Sequence, residues 1–383
     1  ATGEPRLACG CYKKVRIYDP VAGGEALVVL EVGAEISALE VFKDPATGEP
    51  RLACASDIEW SDSDSSTAGI GYPPNSKVTI FKLVAGGQAL VEITAPYVIA
   101  LAVFTDPATG APRLACGCHD DYTVIVFDPI AGGKALLVLD GIYSNVKTLA
   151  AFKESATAPR LACGSENGKV HVFDAVSGGD ALLVLDAGYR VNALVAFEDL
   201  TTGAPRLACG TGKWDTNTHS FISGEVRVFD PVAGGEALVV LEGHTCDVRR
   251  LTAFRDPATG EQQLVSAAND IRVWNPEAGG AVVEAEPEGH SEDVKNLVTF
   301  VDPATGALRV ATGSEEKTIR VWDAETGSAL LVINVGSGVN ALAFFVDPAT
   351  GAPRLVTDSG KVFDPVAGGG ALLVIDVSYG VFA

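Results

Sequence analysis

One phrase recurs eight times along this chain and leaves little room for any fold but a repeat. A run near Arg-Leu-Ala-Cys-Gly leads into a valine-rich segment that ends in an aromatic residue: Tyr18, Phe81, Phe127, Phe173, Phe229, Trp274, Trp322 and Phe363. A turn of the type Pro-Val-Ala-Gly-Gly comes next, then a second apolar segment of the type Glu-Ala-Leu-Val-Val-Leu. A period of about 40–50 residues marks one supersecondary unit stacked on its own copies. The repeats cover residues 1–383 from end to end, so the chain is read as one domain, although its length suits two or three. What the units share is scaffold, so function is sought where they differ.

Each unit offers four short segments rich in Val, Ile, Leu and Phe; in one unit they run over 36–42, 51–55, 77–81 and 88–93. Between the first two stands an Asp-Pro-Ala-Thr-Gly loop, at 44–48, 106–110, 256–260, 302–306 and 347–351, with looser forms at 154–158 and 199–203. Its proline fixes φ, its glycine takes positive φ and its Asp bonds the backbone, three separate reasons to turn. No segment shows sustained helical periodicity. Four-stranded antiparallel units of this length stack radially as blades. The expected fold is therefore all-β, a single eight-bladed β-propeller. The chain begins midway through a unit, which leaves the first blade without its inner strand, and Tyr379 to Ala383 read as the start of one. A C-terminal strand closing the ring inside the N-terminal blade is expected. Both ends fall inside a repeat, and Met is absent. That points to a piece of a longer array, or to near-copies of one Met-free unit.

Two units carry more than the shared phrase. Gly243-His244 precedes Trp274-Asn275, and Gly289-His290 precedes Trp322-Asp323. In these residues the chain resembles the WD-repeat (WD40) β-propeller family. The resemblance implies a structural network in each of the two blades: a His before the inner strand, a Ser or Thr on the second strand, an acid in the next turn and a Trp on the third strand. It assigns His244, Ser266, Asp270 and Trp274 to one network, and His290, Thr312, Glu316 and Trp322 to the other. The remaining units lack the His, have Phe or Tyr for Trp, and mostly have Cys for Ser: Cys9, Cys54, Cys116, Cys163 and Cys209. The resemblance also implies a non-enzymatic scaffold for protein–protein interaction. Its rivals are a permanent structural subunit of a large complex and an enzyme on the same fold, since eight-bladed propellers host both.

Composition narrows the partners. A formal net charge of −21 argues against nucleic acid and anionic membrane surfaces. No apolar stretch approaches the ~20 residues of a membrane helix. A position that alternates Cys with Ser266, Thr312 and Thr357 suits a small buried residue, not half of a disulfide. A reducing, intracellular compartment such as the cytoplasm is the expectation. The pairs Cys9/Cys11 and Cys116/Cys118 lack the further ligands that zinc requires. No His/Asp/Glu cluster recurs with ligand spacing, so neither a metal nor a cofactor is expected.

The loops of one face are nearly identical around the ring, whereas those of the other diverge. On the divergent face lie two insertions, about 57–76 and 211–224. Trp60 and Tyr72 fall in the first, Trp214 and Phe221 in the second, and Tyr97, Tyr143 and Tyr189 in the turns that enter inner strands. Exposed aromatics suit interface anchors, although each Trp has the alternative of pinning its own loop. Beside the same turns stand Lys147, Arg190, Arg249 and Lys295, a basic arc on an acidic molecule. Such an arc suits a protein or peptide that is acidic or phosphorylated; Asp247 and Asp293 are close enough in sequence to neutralise it instead.

Overall fold

A computed structural model describes residues 6–11, 13–57, 76–83, 89–155, 157–256, 259–277, 281–283 and 289–375. Within them the chain forms eight antiparallel sheets, seven of four strands and one of three. Each four-stranded sheet keeps its strands in chain order from the channel outward. Blade two shows the plan: Ile36–Lys43 innermost, then Pro50–Asp57, Ser76–Lys82 and Ala89–Ala95. Blade three follows with Val98–Thr105, Pro112–Cys118, Val124–Phe127 and Leu137–Leu139. The three-stranded sheet is blade one, made of Leu7–Cys11, Lys14–Tyr18 and Val28–Glu31. The closing strand expected at Tyr379 to Ala383 lies outside the described residues.

Strand position explains residue choice. Second and third strands are covered on both faces by neighbouring blades and are the most buried; Val124–Phe127 is buried at every residue, whereas Lys14–Tyr18 leaves Lys14 and Arg16 half-buried. Outer strands have one face open and alternate, as Leu183–Asp186 does. The eight aromatics that end the third strands each enter the seam with the preceding blade. Phe127 packs with Ile80 and Ile93 of blade two, and Phe173 with Val126 and Leu139 of blade three. Tyr18 of blade one packs with Val356, Val362 and Ile375 of blade eight, so the seam between the chain's two ends repeats the others.

A glycine tells the same story. In the Gly-Gly turn of blade four, Gly178 adopts φ +67°, and a Cβ there would stand 3.1 Å from Leu137 of blade three. Gly23 of blade one has φ +68°, and its Cβ would stand 2.6 Å from Leu373 of blade eight. A parallel bridge between Gly24 and Ile375 adds a backbone link across that seam.

On the constant face each Asp-Pro-Ala-Thr-Gly loop is organised by its Asp. Asp106 Oδ1 accepts from the Ala108 N–H at 3.0 Å, and its carbonyl accepts from Gly110 at 2.8 Å. Its other oxygen meets Arg113 at 2.8 Å, and Arg113 also reaches Asp128 at 3.4 Å, which ties two loops of one blade together. Arg206 does the same with Asp199 and Asp230. This repeated Arg is thus consumed by scaffold. The looser loop at 154–158 departs from the pattern: with neither Pro nor Gly to turn it, the strands Val146–Ser155 and Ala158–Ser165 run on until Ser155 pairs with Ala158.

Candidate interaction surface

The variable face is built where the outer strand of one blade turns into the inner strand of the next. In blades two, three, four, five and seven the inner strand is bulged at its first turn. The pairing skips from Ile36 to Ala38, Val98 to Ala100, Val146 to Thr148, Val191 to Ala193 and Val294 to Asn296. The skipped residues are Ser37, Ile99, Lys147, Asn192 and Lys295. A bulge re-aims the unpaired side chain, so two members of the basic arc are placed by one backbone device.

The arc is not an open positive surface. Lys147 and Arg190 share Glu166, at 3.6 and 3.3 Å. Burial pushes the Glu166 carboxyl up, but the Asn145 amide at 2.9 Å and the two cations outweigh it and hold Glu166 below its usual range. Lys147 itself is lowered, by burial first and then by Arg190. Arg249 bridges Asp247 at 3.3 Å and Asp293 at 2.9 Å. Lys295 bridges Asp293 at 3.3 Å and Glu315 at 2.9 Å. Asn192 donates to Asp247 at 3.3 Å. The four cations therefore sit in two groups of ion pairs, one about Glu166 and one about Asp293, and the arc takes the neutralised alternative rather than the open one. Sequence showed Asp247 and Asp293 as neutralisers; Glu166 and Glu315 come from loops on other strands and were not visible.

The insertion at 211–224 is not an irregular loop. The strands Pro205–Asp215 and Ser220–Phe229 continue through it as a β-hairpin that rises above blade five. Trp214 pairs across this hairpin with Phe221, their rings edge to face at 5.0 Å. The Arg190 guanidinium lies 5.9 Å from the Phe221 ring, and the Lys213 ammonium 5.5 Å from the Tyr189 ring. Phe221 and Tyr189 are half-buried by these contacts, whereas Trp214 stays 49% exposed. Tyr97 is half-buried against His119, ring to ring at 5.7 Å. Tyr143 stands 86% exposed. Trp60 and Tyr72 lie outside the described residues.

Backbone strain is concentrated on this face. Four described residues other than glycine have positive φ: Tyr122, Tyr143, His219 and Lys317. All four lie in turns of the variable face, whereas the constant face gives such positions to glycine. Tyr122 is also exposed, and nothing in the repeat pattern had singled it out.

The two networks sit beneath the rim of blades six and seven. His244 Nε2 lies 2.6 Å from Ser266 Oγ, which accepts from Trp274 Nε1 at 2.7 Å, and His244 Nδ1 meets Asp270. His290 Nε2 lies 2.8 Å from Thr312 Oγ1, which accepts from Trp322 Nε1 at 2.8 Å, and His290 Nδ1 lies 2.7 Å from Glu316. Both imidazoles are enclosed, and each network ties the turn that enters a blade to that blade's second and third strands.

Among the described residues no three His, Cys, Asp or Glu side chains gather as metal ligands, and no helix is long and apolar enough to cross a membrane. Clefts between constant-face loops, about 130 Å³ beside Asp256 and Asp323 and about 190 Å³ beside Asp106 and Arg113, fall short of the roughly 300–1,000 Å³ of small-molecule sites. Cys54, Cys118 and Cys209 are buried thiols pushed up to about 12, by burial first. Cys246, half-exposed on the variable face, is raised only to about 11, by burial and then by Asp247. A polar thiol reagent at pH 8 is expected to label Cys246 ahead of these three, as mass spectrometry of tryptic peptides would show; faster labelling of Cys54 or Cys209 would contradict the buried assignment.

Comparison with known proteins agrees with this geometry. The family model for the WD domain, G-beta repeat, matches residues 283–323, which cover most of blade seven, including Trp322 and Asp323. A crystal structure of the computationally designed Ika8 protein superposes with a TM-score of 0.66 at 22% identity, over 94% of this chain and 93% of that one. At that identity the likeness concerns the fold alone. No protein of curated function matches the chain significantly.

Proposed function

We propose that this eight-bladed β-propeller, whose blade seven matches the WD-domain family model and whose fold serves generally as a protein-interaction scaffold, is a non-enzymatic platform whose partner docks on the variable face of blades three to five. The observation that carries this reading is the placement of the strained residues. A non-glycine residue at positive φ costs about 1–3 kcal/mol, persists only where the surrounding structure enforces it, and clusters at functional sites. Here two such residues are exposed tyrosines, Tyr122 in blade three and Tyr143 in the turn that leaves it, on the same face as the blade-five hairpin that packs Trp214 against Phe221 and leaves it half-open. Rigid aromatics with one open face are what interface hot spots are made of. The constant face offers a partner only the same two loops repeated around the ring. The proposed partner is a protein or peptide in a reducing, intracellular compartment.

A photo-crosslinking residue at Tyr143 and another at Thr109, on the constant face, test the choice of face in a lysate. Specific adducts are expected from position 143 alone; adducts from 109 alone would reverse it. Once the partner is in hand, Trp214→Ala is expected to weaken binding about thirtyfold, the ~2 kcal/mol of a hot spot, in calorimetric titration. Unchanged affinity would remove Trp214 from the interface.

A further inference from the structure

With Lys147, Arg190, Arg249 and Lys295 paired, the cation left without a carboxylate at the variable-face end of the described inner strands is Arg250. Arg250 opens the inner strand of blade six, Arg250–Arg255, and pairs with Ala267. The corresponding residues of other blades are Ala38, Ala100, Thr148, Ala193 and Asn296, each opposite Ala or Gly. Five blades thus keep this layer of the channel wall small or neutral, and blade six fills it with a guanidinium. Among the described residues no carboxylate lies within ion-pair distance of Arg250; its Nη1 donates to the Arg249 carbonyl at 3.0 Å. The nearby carboxylates are committed: Asp247 and Asp293 hold Arg249, and Asp293 and Glu315 hold Lys295.

Arg250 is open to solvent, yet enough protein crowds it that burial, then Arg249, depresses its pKa. Both are true of a side chain on the wall of an enclosed, water-filled passage. The other charged residue in the middle reach of the described inner strands is Glu40. It belongs to blade two, four blades away and so across the ring.

We propose that the channel mouth at Arg250 is an oxyanion subsite, which takes a carboxylate or phosphate group carried on the partner's chain. The partner's identity rests on the variable-face reading; the anion chemistry does not. A guanidinium presents paired N–H donors that match carboxylate and phosphate oxygens two at a time. A charge that is partly desolvated without a counterion is costly, and an incoming oxyanion removes that cost. The −21 of the whole molecule does not forbid it, because exposed charges are screened beyond ~8 Å at physiological salt. Asn296 and Thr148 stand in the same layer of the ring and add neutral polar groups.

The test uses three probes on the full chain: inorganic phosphate, an acetylated triglutamate peptide and an acetylated phosphoserine peptide of the same length. Arginine Nε–Hε signals are followed by NMR at 50 mM salt, with the Arg250 signal identified by its loss in Arg250→Gln. A saturable shift of that signal is expected with at least one probe, and binding of that probe should fall tenfold or more in Arg250→Gln and recover in part in Arg250→Lys. Preference for triglutamate assigns the group to an acidic side chain, and preference for phosphoserine or inorganic phosphate to a phosphate ester. No shift with any probe, or equal affinity in Arg250→Gln, overturns the proposal. Trp214→Ala should leave these small probes within twofold, so loss of the subsite and loss of the docking face read out separately.

Discussion

Replacing Tyr18 with alanine is expected to cost about 3–5 kcal/mol, the usual range for emptying a large aromatic site, and to loosen the ring at one defined seam. Tyr18 is wholly buried between blades one and eight, among Cys9, Val356, Val362 and Ile375. Every other seam has such an aromatic too, but there the two blades also share a chain connection. Blades eight and one come from opposite ends of the sequence, so among the described residues packing and one backbone bridge hold them. A cavity at this seam should therefore let the ends part before the rest unfolds. Phe173→Ala, at the seam of blades three and four, is the control. Both variants should lower the urea midpoint. Tyr18→Ala alone should enlarge the radius of gyration in X-ray scattering and speed proteolysis near residue 7 before global unfolding. Equal behaviour of the two variants would mean that this seam is no weaker than the others.

The fold was open to reading because every blade repeats the same reasons for its strands. Ile36 to Phe42 reads as a strand from its short run rich in Val, Ile, Leu and Phe, and the strand runs Ile36–Lys43. The eight aromatics could be counted, although not their direction across the seams. The site was less legible, and the reasons are local. Glu166 and Glu315 reach Lys147 and Lys295 from loops after the second strand, about 20 residues on in sequence. No spacing rule gives the geometry of those loops. The run Thr211 to Gly224 looks like an insertion because Gly, Lys, Asp, Thr and Asn dilute its strand pattern. It is nevertheless a hairpin, since backbone pairing and the Trp214–Phe221 contact suffice where both faces meet water. Arg249 and Arg250 are adjacent and chemically alike. Only the strand register separates them, one into ion pairs and the other onto the channel wall.

Thr312→Val is expected to destabilise the protein by about 2–5 kcal/mol with no change of side-chain volume, because it strands two buried groups at once. Trp322 Nε1 loses its acceptor and His290 Nε2 loses its hydroxyl partner. Pairing it with Trp322→Phe removes one of those orphans, so the double variant should be more stable than Thr312→Val alone. Blades with Phe at this position already pair it with a thiol, as Phe173 with Cys163, and need no acceptor. The network also sets a pH dependence. Burial is the largest influence on His290 and carries it below its usual 6.5 despite Glu316. Glu316 is opposed by burial, but Thr318, Ser291 and His290 hold it well below its usual 4.5. In both cases the unfolded chain takes up the proton first. Stability contributed by these groups is therefore complete above pH 6.5, and falls through the His290 window and again below pH 4.5. Glu316→Gln should start lower at pH 7 and lose less between pH 5 and pH 3 than the parent, measured by urea midpoints across that range. A parallel decline of parent and variant would show that other carboxylates, such as Asp270 and Asp323, govern acid unfolding instead.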